Sequence, residues 1–541
     1  MASPLSNGVS GLLAAQRAIA TSSHNVANAN TPGFTRQQVI NATRNPDRTG
    51  GVTIGTGVST ESVERIHSEF TESRLRSSAT ELNRVDTING LNERLDNLFA
   101  DASGGLNAAQ TNFYNAIADV TVDPSSPAAR QGVLAATDEI SRRFRFFDSQ
   151  LNGLQQELNQ RVQASVSQIN QLATSIAAVN KTIARASQGS TPNDLLDKRD
   201  QLLAQLAEQT NISTTSYGRF GLNVNIGNGI ALVADNTAAT LSTTPSEDSV
   251  GALAVALDSG RGAIDINDQL SGGVLGGIND FRREILTPTR NEVGLLASTL
   301  TLNINAQHQL GFDAEGLAGT ELFTLGAVPV SPAINNTGSA SGSAAITDPS
   351  QLRASDYRMS FDGNEYTLTR LSDKLQITGG NNLIMDGVAF TVTGTANTGD
   401  AFIFRPTSGS AGTIATALAS TDRLALAESA AAGIGDAGNA RGLSTIQASK
   451  FLDDGKATFA QQLGALVTTI GGAAEASSLQ LDSMRQVWQF EQDRHDNASG
   501  VNLDEEAVNL VKYQQAYEAS AQVITVASRL FDTLIGTVNR L

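Results

Sequence analysis

The clearest hydrophobic pattern of this chain lies at its two ends, where apolar side chains recur at alternating steps of four and three residues. That spacing keeps a stripe of side chains on one face of a helix, as in the seam of a coiled coil. The predicted assembly-seam positions are Leu5, Val9, Leu12, Ile19, Val26, Leu503, Leu510, Tyr517, Ile524, Phe531, Ile535 and Val538. Two terminal helices that pair with each other explain this pattern best, and two ordinary amphipathic helices on one core are the alternative.

The interior of the chain alternates between helical and β patterns. Spacing of three and four residues predicts further helices over about 75–98, 151–183, 193–208, 289–309 and 440–494. Apolar–polar alternation broken by Gly and Asn turns predicts β structure over about 211–271 and 331–410. The Gly-rich stretch 271–277, which follows the first β segment, indicates a flexible hinge.

This order predicts a mainly α fold with β inserts, in which the chain goes out and comes back and its two ends lie side by side. The predicted units are a terminal coiled-coil domain of 1–65 and 497–541, a long-helix bundle of 66–210, 272–330 and 411–496, a small β-rich insert of 211–271 and an outer β-rich insert of 331–410.

The composition argues against several classes of protein. The 541 residues include 37 basic and 54 acidic side chains, a net charge of −17, whereas phosphate recognition needs a basic surface. The absence of cysteine excludes disulfides, thiolate metal sites and cysteine nucleophiles. No apolar run approaches the roughly 18 residues of a membrane span, and the first residues lack the basic and apolar regions of a cleaved signal peptide. We therefore expect no nucleic-acid partner and no membrane insertion.

Candidate catalytic chemistry is sparse. The four histidines, His24, His67, His308 and His495, have no partner at metal-ligand spacing and no nucleophile elbow nearby. The acidic run 504–506 stands at the start of the predicted C-terminal helix, where negative charge favours the helix dipole. We therefore predict no catalytic residue, no cofactor site and no metal site.

A strong turn signal follows the N-terminal helix. Pro32 presets φ at the first central position of a turn, and Gly33 accepts positive φ at the second. Pro32 also stops a helix that arrives from Val26. The segment predicts an Asn-rich cap and a fixed corner, and its motif residues are Asn25, Asn28, Asn30, Thr31, Pro32, Gly33 and Phe34.

Both ends carry sequence signatures. The segment 23–37 resembles the N-terminal signature of the bacterial flagellar rod, hook and hook-associated proteins, with Phe34 where tyrosine is common. The segment 501–521 resembles the C-terminal signature of that family, and its motif residues are Asn502, Asp504, Glu505, Glu506, Tyr513, Gln514 and Tyr517. Two internal segments, 193–203 and 305–323, resemble the hook-associated subgroup. The resemblance covers about the first 215 residues, 290–325 and 495–541.

The resemblance implies a structural role. Members of the subgroup form a ring of subunits that joins the curved hook to the filament. The implied partners are therefore further copies of the chain, the hook protein and a second junction protein, hook-associated protein 3. The family's terminal helices pair to line the inner tube, and its β-rich domains face outward.

The resemblance also implies a route of export. Family members leave the cell unfolded through the flagellar type III export apparatus, without a cleaved signal peptide. We therefore expect an extracellular protein of the hook–filament junction, with an export chaperone that binds near the C-terminal helix.

Other functions remain open. A hook or distal-rod protein would share both terminal signatures, but the segments 197–200 and 311–319 argue against it. An enzyme such as a wall hydrolase would need paired carboxylates, a metal motif or a nucleophile motif, and no such set has usable spacing. An adhesin-like role of the β inserts is the third alternative.

Overall fold

The computed structural model describes residues 4–49, 52–100, 105–186, 191–247, 249–258 and 262–538. The described helices are α1 (Pro4–Ala27), α2 (Glu69–Phe99), α3 (Leu106–Val122), α4 (Pro127–Ala186), α5 (Asn193–Gln209), α6 (Gly273–Phe281), α7 (Thr287–Gln309), α8 (Ser410–Thr413), α9 (Gly438–Thr445), α10 (Phe459–Ser499) and α11 (Leu503–Val538). The two predicted terminal helices are confirmed as α1 and α11, which lie side by side.

The strands form seven small antiparallel sheets among the described residues. The strands are β1 (Gln37–Thr43), β2 (Asp47–Thr49), β3 (Val52–Ile54), β4 (Val58–Arg65), β5 (Ile212–Tyr217), β6 (Gly221–Ile226), β7 (Ile230–Ala234), β8 (Thr237–Ala238), β9 (Leu241–Pro245), β10 (Leu253–Asp258), β11 (Ala263–Asp265), β12 (Phe323–Thr324), β13 (Val330–Pro332), β14 (Ser341–Ile346), β15 (Tyr357–Phe361), β16 (Tyr366–Arg370), β17 (Gln376–Gly379), β18 (Asn382–Met385), β19 (Val388–Thr393), β20 (Ala401–Phe404) and β21 (Ala415–Thr416). The chain is therefore mainly helical with β-rich insertions, as predicted.

The longest element is α4, whose 60 residues span about 90 Å at the α-helical rise. Its buried stripe runs through Val133, Ile140, Leu158 and Ile169, and helices α3, α5 and α7 pack along it. The helix begins at Pro127 rather than near residue 151, because apolar residues at helical spacing continue well before that point. Helix α3, which the sequence analysis did not predict, packs against its first half.

Helices α2 and α10 form an antiparallel pair beside α4. A buried polar layer joins them: the Asn92 amide donates to the Ser477 hydroxyl at 3.2 Å, which donates to Asn89 at 3.2 Å. The predicted helix over 440–494 is interrupted, since α9 ends at residue 445 and α10 begins at Phe459, where Thr458 and Gln461 form a capping box.

The Gly-rich stretch 271–277 is not a hinge but the start of helix α6. A Cβ on Gly277 would lie 2.6 Å from the Arg84 carbonyl oxygen, so this glycine lets α6 pack closely against α2. Helix α6 continues through a π-helical turn, Arg282–Leu286, into α7. Tertiary packing therefore makes an ordered helix of a segment whose composition resembles a linker.

The two predicted β regions are confirmed. The small insert contains the sheets β5-β6-β7-β8 and β11-β10-β9, which pack on α4. The outer insert contains a five-stranded sheet, β13-β20-β15-β16-β17, and a three-stranded sheet, β14-β19-β18. Its Asp-Gly turns are as predicted, with positive φ at Gly363, Asp386 and Gly387. The predicted domain boundaries themselves stay predictions.

The internal segment 305–323 fastens the end of α7 to the returning chain. Asn305 accepts the amides of Leu322 and Phe323 at 3.0 and 2.9 Å. The ring of His308 lies 2.6 Å from the Thr320 carbonyl through Nδ1, and its Nε2 accepts the Ala425 amide at 3.0 Å. These two contacts require a neutral imidazole with its proton on Nδ1. Burial lowers the pKa of His308.

We expect His308 to make stability fall in mild acid. An unfolded imidazole takes up a proton near its ordinary pKa of 6.5, whereas the buried ring resists protonation. The free energy of unfolding should therefore drop as the pH falls below about 6.5, by at most about 1.4 kcal/mol per pH unit from this group. Urea unfolding at pH 7.5 and 5.5 measures the loss, which should be smaller in His308→Gln. An equal loss in the variant would contradict this assignment.

Candidate assembly site at the chain ends

Helices α1 and α11 pair through small side chains. A Cβ on Gly8 would lie 2.8 Å from the Ile524 side chain, and a Cβ on Gly11 would lie 2.8 Å from the Ser520 hydroxyl. The buried face of α1 continues through Ala15 and Ser22. Small residues thus let the two helix backbones approach closely.

The predicted seam positions of α1 are only partly covered within the chain. Leu5, Val9 and Val26 are exposed, and Leu12 and Ile19 are half-buried. On α1 the buried positions are small residues, whereas on α11 the predicted seam residue Ile524 makes the contact with Gly8. A role of the seam residues between subunits stays a prediction.

Helix α11 is almost entirely uncovered. Glu506 is its only fully buried residue among those described, and Leu510, Tyr513 and Ile524 are half-buried. Its exposed apolar residues are Leu503, Val508, Val511, Tyr517, Val523, Val526, Leu530, Phe531, Leu534, Ile535 and Val538. Gln514, in the C-terminal motif, is also exposed. A surface this rich in apolar side chains is typical of an interaction face.

The turn after α1 forms as predicted. The Phe34 amide donates to the Thr31 carbonyl at 3.1 Å, with Pro32 and Gly33 between them and Gly33 at φ 76°. Asn28 caps the helix end, since its amide nitrogen donates to the His24 carbonyl at 3.0 Å. These contacts make a corner of defined direction, whose remaining motif residue, Asn30, is exposed.

The buried side chain of Asn25 ties the helix to the strand that follows the corner. Its amide nitrogen donates to the Gln37 carbonyl at 2.9 Å, and its oxygen accepts the Gln37 amide at 3.0 Å. Gln37 opens the ribbon β1–β4, which the sequence analysis did not predict because its strands are polar and only weakly alternating. The corner therefore leads into a β ribbon.

A buried ion pair joins the corner to the start of α11. Arg36 donates to Glu506 at 2.8 Å and to Glu505 at 2.7 Å, and the Ser22 hydroxyl donates to Glu506 at 2.5 Å. Glu506 is 1% exposed. The acidic run was predicted only to favour the helix dipole, and capping is instead supplied by Asn502, which accepts the amides of Asp504 and Glu505 at 3.0 and 3.3 Å.

The N-terminal part of α5 completes this site. Arg65, at the end of β4, donates to Asp197 and Asp200 at 2.7 Å each, and the Thr35 amide donates to Asp197 at 3.1 Å. Burial alone would lower the pKa of the Arg65 guanidinium, but the two carboxylates outweigh it and raise that pKa. Burial and repulsion from Asp200 raise the pKa of Glu72.

The internal signature at 193–203 therefore binds the chain-end region to the helical body. Sequence analysis did not predict these contacts of Asp197 and Asp200. Arg36 and Asp197 lie inside the segments that resemble the family signatures, and this was the only sequence feature that marked them. The residues around them in the sequence do not identify their partners.

In the described part of the chain, no group of three or more histidine or acidic side chains could hold a metal ion. No described helix is long and apolar enough to cross a membrane.

Comparisons with known proteins agree with this arrangement. The ends match the families "Flagella basal body rod protein" over residues 5–35 and "Flagellar basal body rod FlgEFG protein C-terminal" over 493–537. The interior matches "Flagellar hook-associated protein FlgK helical domain" over 92–323 and "Flagellar hook-associated protein 1, D2-like domain" over 330–406.

Full-length relatives show the same. Flagellar hook-associated protein 1 of Escherichia coli is 32% identical over 99% of this chain and all of its own length. The protein of that name from Bacillus subtilis is 27% identical over 97% of this chain and 96% of its own. The solved flagellar hook junction protein FlgK of Burkholderia pseudomallei has the same fold, with a TM-score of 0.74, 23% identity and coverage of 78% of this chain and 99% of that one.

A helical pair at the chain ends, a corner motif and matches to rod-protein ends define a structural protein of the bacterial flagellum. The chain belongs to the flagellar hook-associated protein 1 family. Its function is accordingly that of a hook–filament junction protein. The relatives are structural flagellar proteins, which favours this function over the wall-hydrolase alternative.

We expect Glu506→Ala to release the corner from α11. The substitution leaves the Arg36 guanidinium without its buried partner, and breaking a buried pair costs about 3–5 kcal/mol. The amide of Arg36, which donates to the Ser499 carbonyl at 2.9 Å, should exchange with deuterium at least tenfold faster. The matched control is Glu505→Ala, since that side chain is 58% exposed and such pairs contribute little. Equal effects of the two variants would contradict the assigned role of Glu506.

Proposed function

We propose that copies of this protein polymerise into a ring through their terminal helices, and that this ring adapts the hook to the flagellin filament. The observation that carries the proposal is the exposure of α11, which buries only one of its 36 residues among those described. The predicted seam residues of α1 and α11 would then be covered by neighbouring copies. This pairing would take the form of a coiled coil.

The energetics favour ordering on assembly. Each large apolar side chain that becomes fully buried contributes about 1.5–3 kcal/mol. Ordering the backbone costs about 1–2 kcal/mol per residue. The small residues at the contact between α1 and α11 bury little apolar area to offset that cost. The terminal helices of the free subunit should therefore be only marginally stable, and neighbouring copies would stabilise them. Such weakness would guard against premature polymerisation.

The proposed position of the ring between the hook and the filament implies its partners. The hook protein would bind on one side and the second junction protein, hook-associated protein 3, on the other, with the β-rich inserts facing outward. The chain would reach this place outside the cell through the type III export apparatus, without a cleaved signal peptide. An export chaperone would bind the apolar surface of α11 and cover it until assembly.

Deletion of the gene tests the proposed place in the flagellum. Electron microscopy of the cells should show hooks without filaments, and the spent medium should contain unpolymerised flagellin. Loss of the hooks themselves would favour the rod or hook alternative, and normal filaments would contradict the proposal.

The seam is tested by Leu510→Asp and Ile524→Asp, each of which places a charge on the half-buried face of α11. We expect either variant to be exported and to keep a folded helical body, yet to support no filament growth in the deletion strain. The same substitution at Leu375, an exposed leucine of the outer insert, is the matched control and should restore filaments. Normal filaments with both α11 variants would refute a role of this face in assembly.

A further inference from the structure

Two chain segments form the neck between the outer insert and the helical body, which also touch where Pro349–Gln351 packs on α7 and where Arg353 pairs with Asp454 at 2.7 Å. The chain enters the insert beside Pro329 and leaves it at Arg405, whose amide donates to the Pro329 carbonyl at 3.0 Å. Just beyond, a Cβ on Gly294 of α7 would lie 1.9 Å from the Thr407 carbonyl oxygen. The Thr407 hydroxyl also donates to Asn291 of α7 at 2.9 Å. The neck therefore rests directly on α7.

Four charged groups surround this neck from both sides. Asp356, immediately before β15, and Arg405, immediately after β20, belong to the insert. Arg290 of α7 and Asp148 of α4 belong to the helical body. The two arginines attract both carboxylates and repel each other, and Arg290 also donates to the Asn152 side chain at 2.6 Å.

Hydrogen bonding in the cluster is incomplete. Asp356 is buried, yet its Oδ1 accepts no hydrogen bond from the described part of the chain. The Nε atoms of Arg290 and Arg405 are likewise buried without an acceptor among the described residues. This differs from the site at the chain ends, where Arg65 contacts both of its carboxylates. A buried ionised carboxylate with few hydrogen bonds is costly.

The cost falls on the ionised form of Asp356. Burial raises the pKa of Asp356 to about 6, although Arg405, Arg290 and Asn291 oppose that effect. Burial raises the pKa of Asp148 as well. Within the insert, by contrast, Arg370 is bound directly by Asp373 and Asp386, and its hydrogen bonds lower the pKa of Asp373.

We propose that Asp148, Arg290, Asp356 and Arg405 form a pH-responsive hinge between the outer insert and the helical body, closed when Asp356 is protonated and freer when it is ionised. Opening the neck would return water to the carboxylate, so ionisation favours opening. The sign follows from linkage, because the closed state binds the Asp356 proton more tightly than the open state. This hinge is independent of how the terminal helices assemble.

Amide exchange of the full-length protein between pH 5 and pH 7 tests the hinge. Two reporters are the Arg405 amide at the neck and the Leu371 amide, which donates to the Asp356 carbonyl at 2.9 Å. After correction for the intrinsic pH dependence of exchange, the open fraction should rise about tenfold from pH 5 to pH 7. Asp356→Asn mimics the protonated acid, so it should make the open fraction independent of pH and keep it below the wild-type level at pH 5.

The matched control is Asp373→Asn, another aspartate of the insert, whose pKa the Arg370 hydrogen bonds hold at about 2. It stays ionised across the range, so the variant should keep the wild-type slope. A flat wild-type profile, a reversed slope or an unchanged slope in Asp356→Asn would overturn the proposal. If Asp356→Asn does not fold, the carbon-13 shift of the wild-type Asp356 carboxyl decides: a midpoint near pH 6 supports the hinge, and one near 3.8 overturns it.

Discussion

The fold depends on the contact between two helices, α1 and α11, that lie at opposite ends of the sequence. Arg36 and Glu506 are 470 residues apart, and their pair is the contact that brings the corner after α1 to the first turn of α11. Glu506 is buried, so a missing partner would leave an uncompensated charge in the interior. That penalty makes the contact selective for one arrangement of the ends. The chain between residues 36 and 506 therefore begins and ends at this contact.

The terminal pair divides its residues between two tasks. Within the chain, α1 turns Gly8, Gly11 and Ala15 toward α11, which permits a close approach but buries little apolar area. Ile524 packs against Gly8, but most other large apolar residues of the same helices are exposed. In the proposed ring, those residues supply the hydrophobic free energy that the pair itself lacks. The helices would thus be held in place by the ion pair and strengthened by their neighbours.

Two charge clusters of different kinds connect the helical body to the rest of the chain, one at the chain ends and one at the neck of the outer insert. At the chain ends, Arg65 contacts Asp197 and Asp200 directly, and the carboxylates outweigh the effect of burial. At the neck of the outer insert, burial outweighs the attraction of the arginines for Asp356. The first arrangement favours a fixed geometry, because Arg65 is bound directly by both carboxylates. In the second arrangement the ionised Asp356 carboxylate is costly to bury, and opening of the proposed hinge would return it to water.

Local features were predictable from the sequence, because they depend on residues a few positions apart. Helix α5, strand β6, the corner at Pro32 and Gly33, and the Asp-Gly turns follow from periodicity and turn chemistry. Both signatures also located the ends that carry the site, and the family matches confirmed them. Tertiary structure alone decided the helix at 273–281, the ribbon β1–β4 and the partners of Arg36 and Asp197. Those choices depend on contacts with other elements, as far away as Glu506, 470 residues from Arg36, and the same local pattern is compatible with more than one of them.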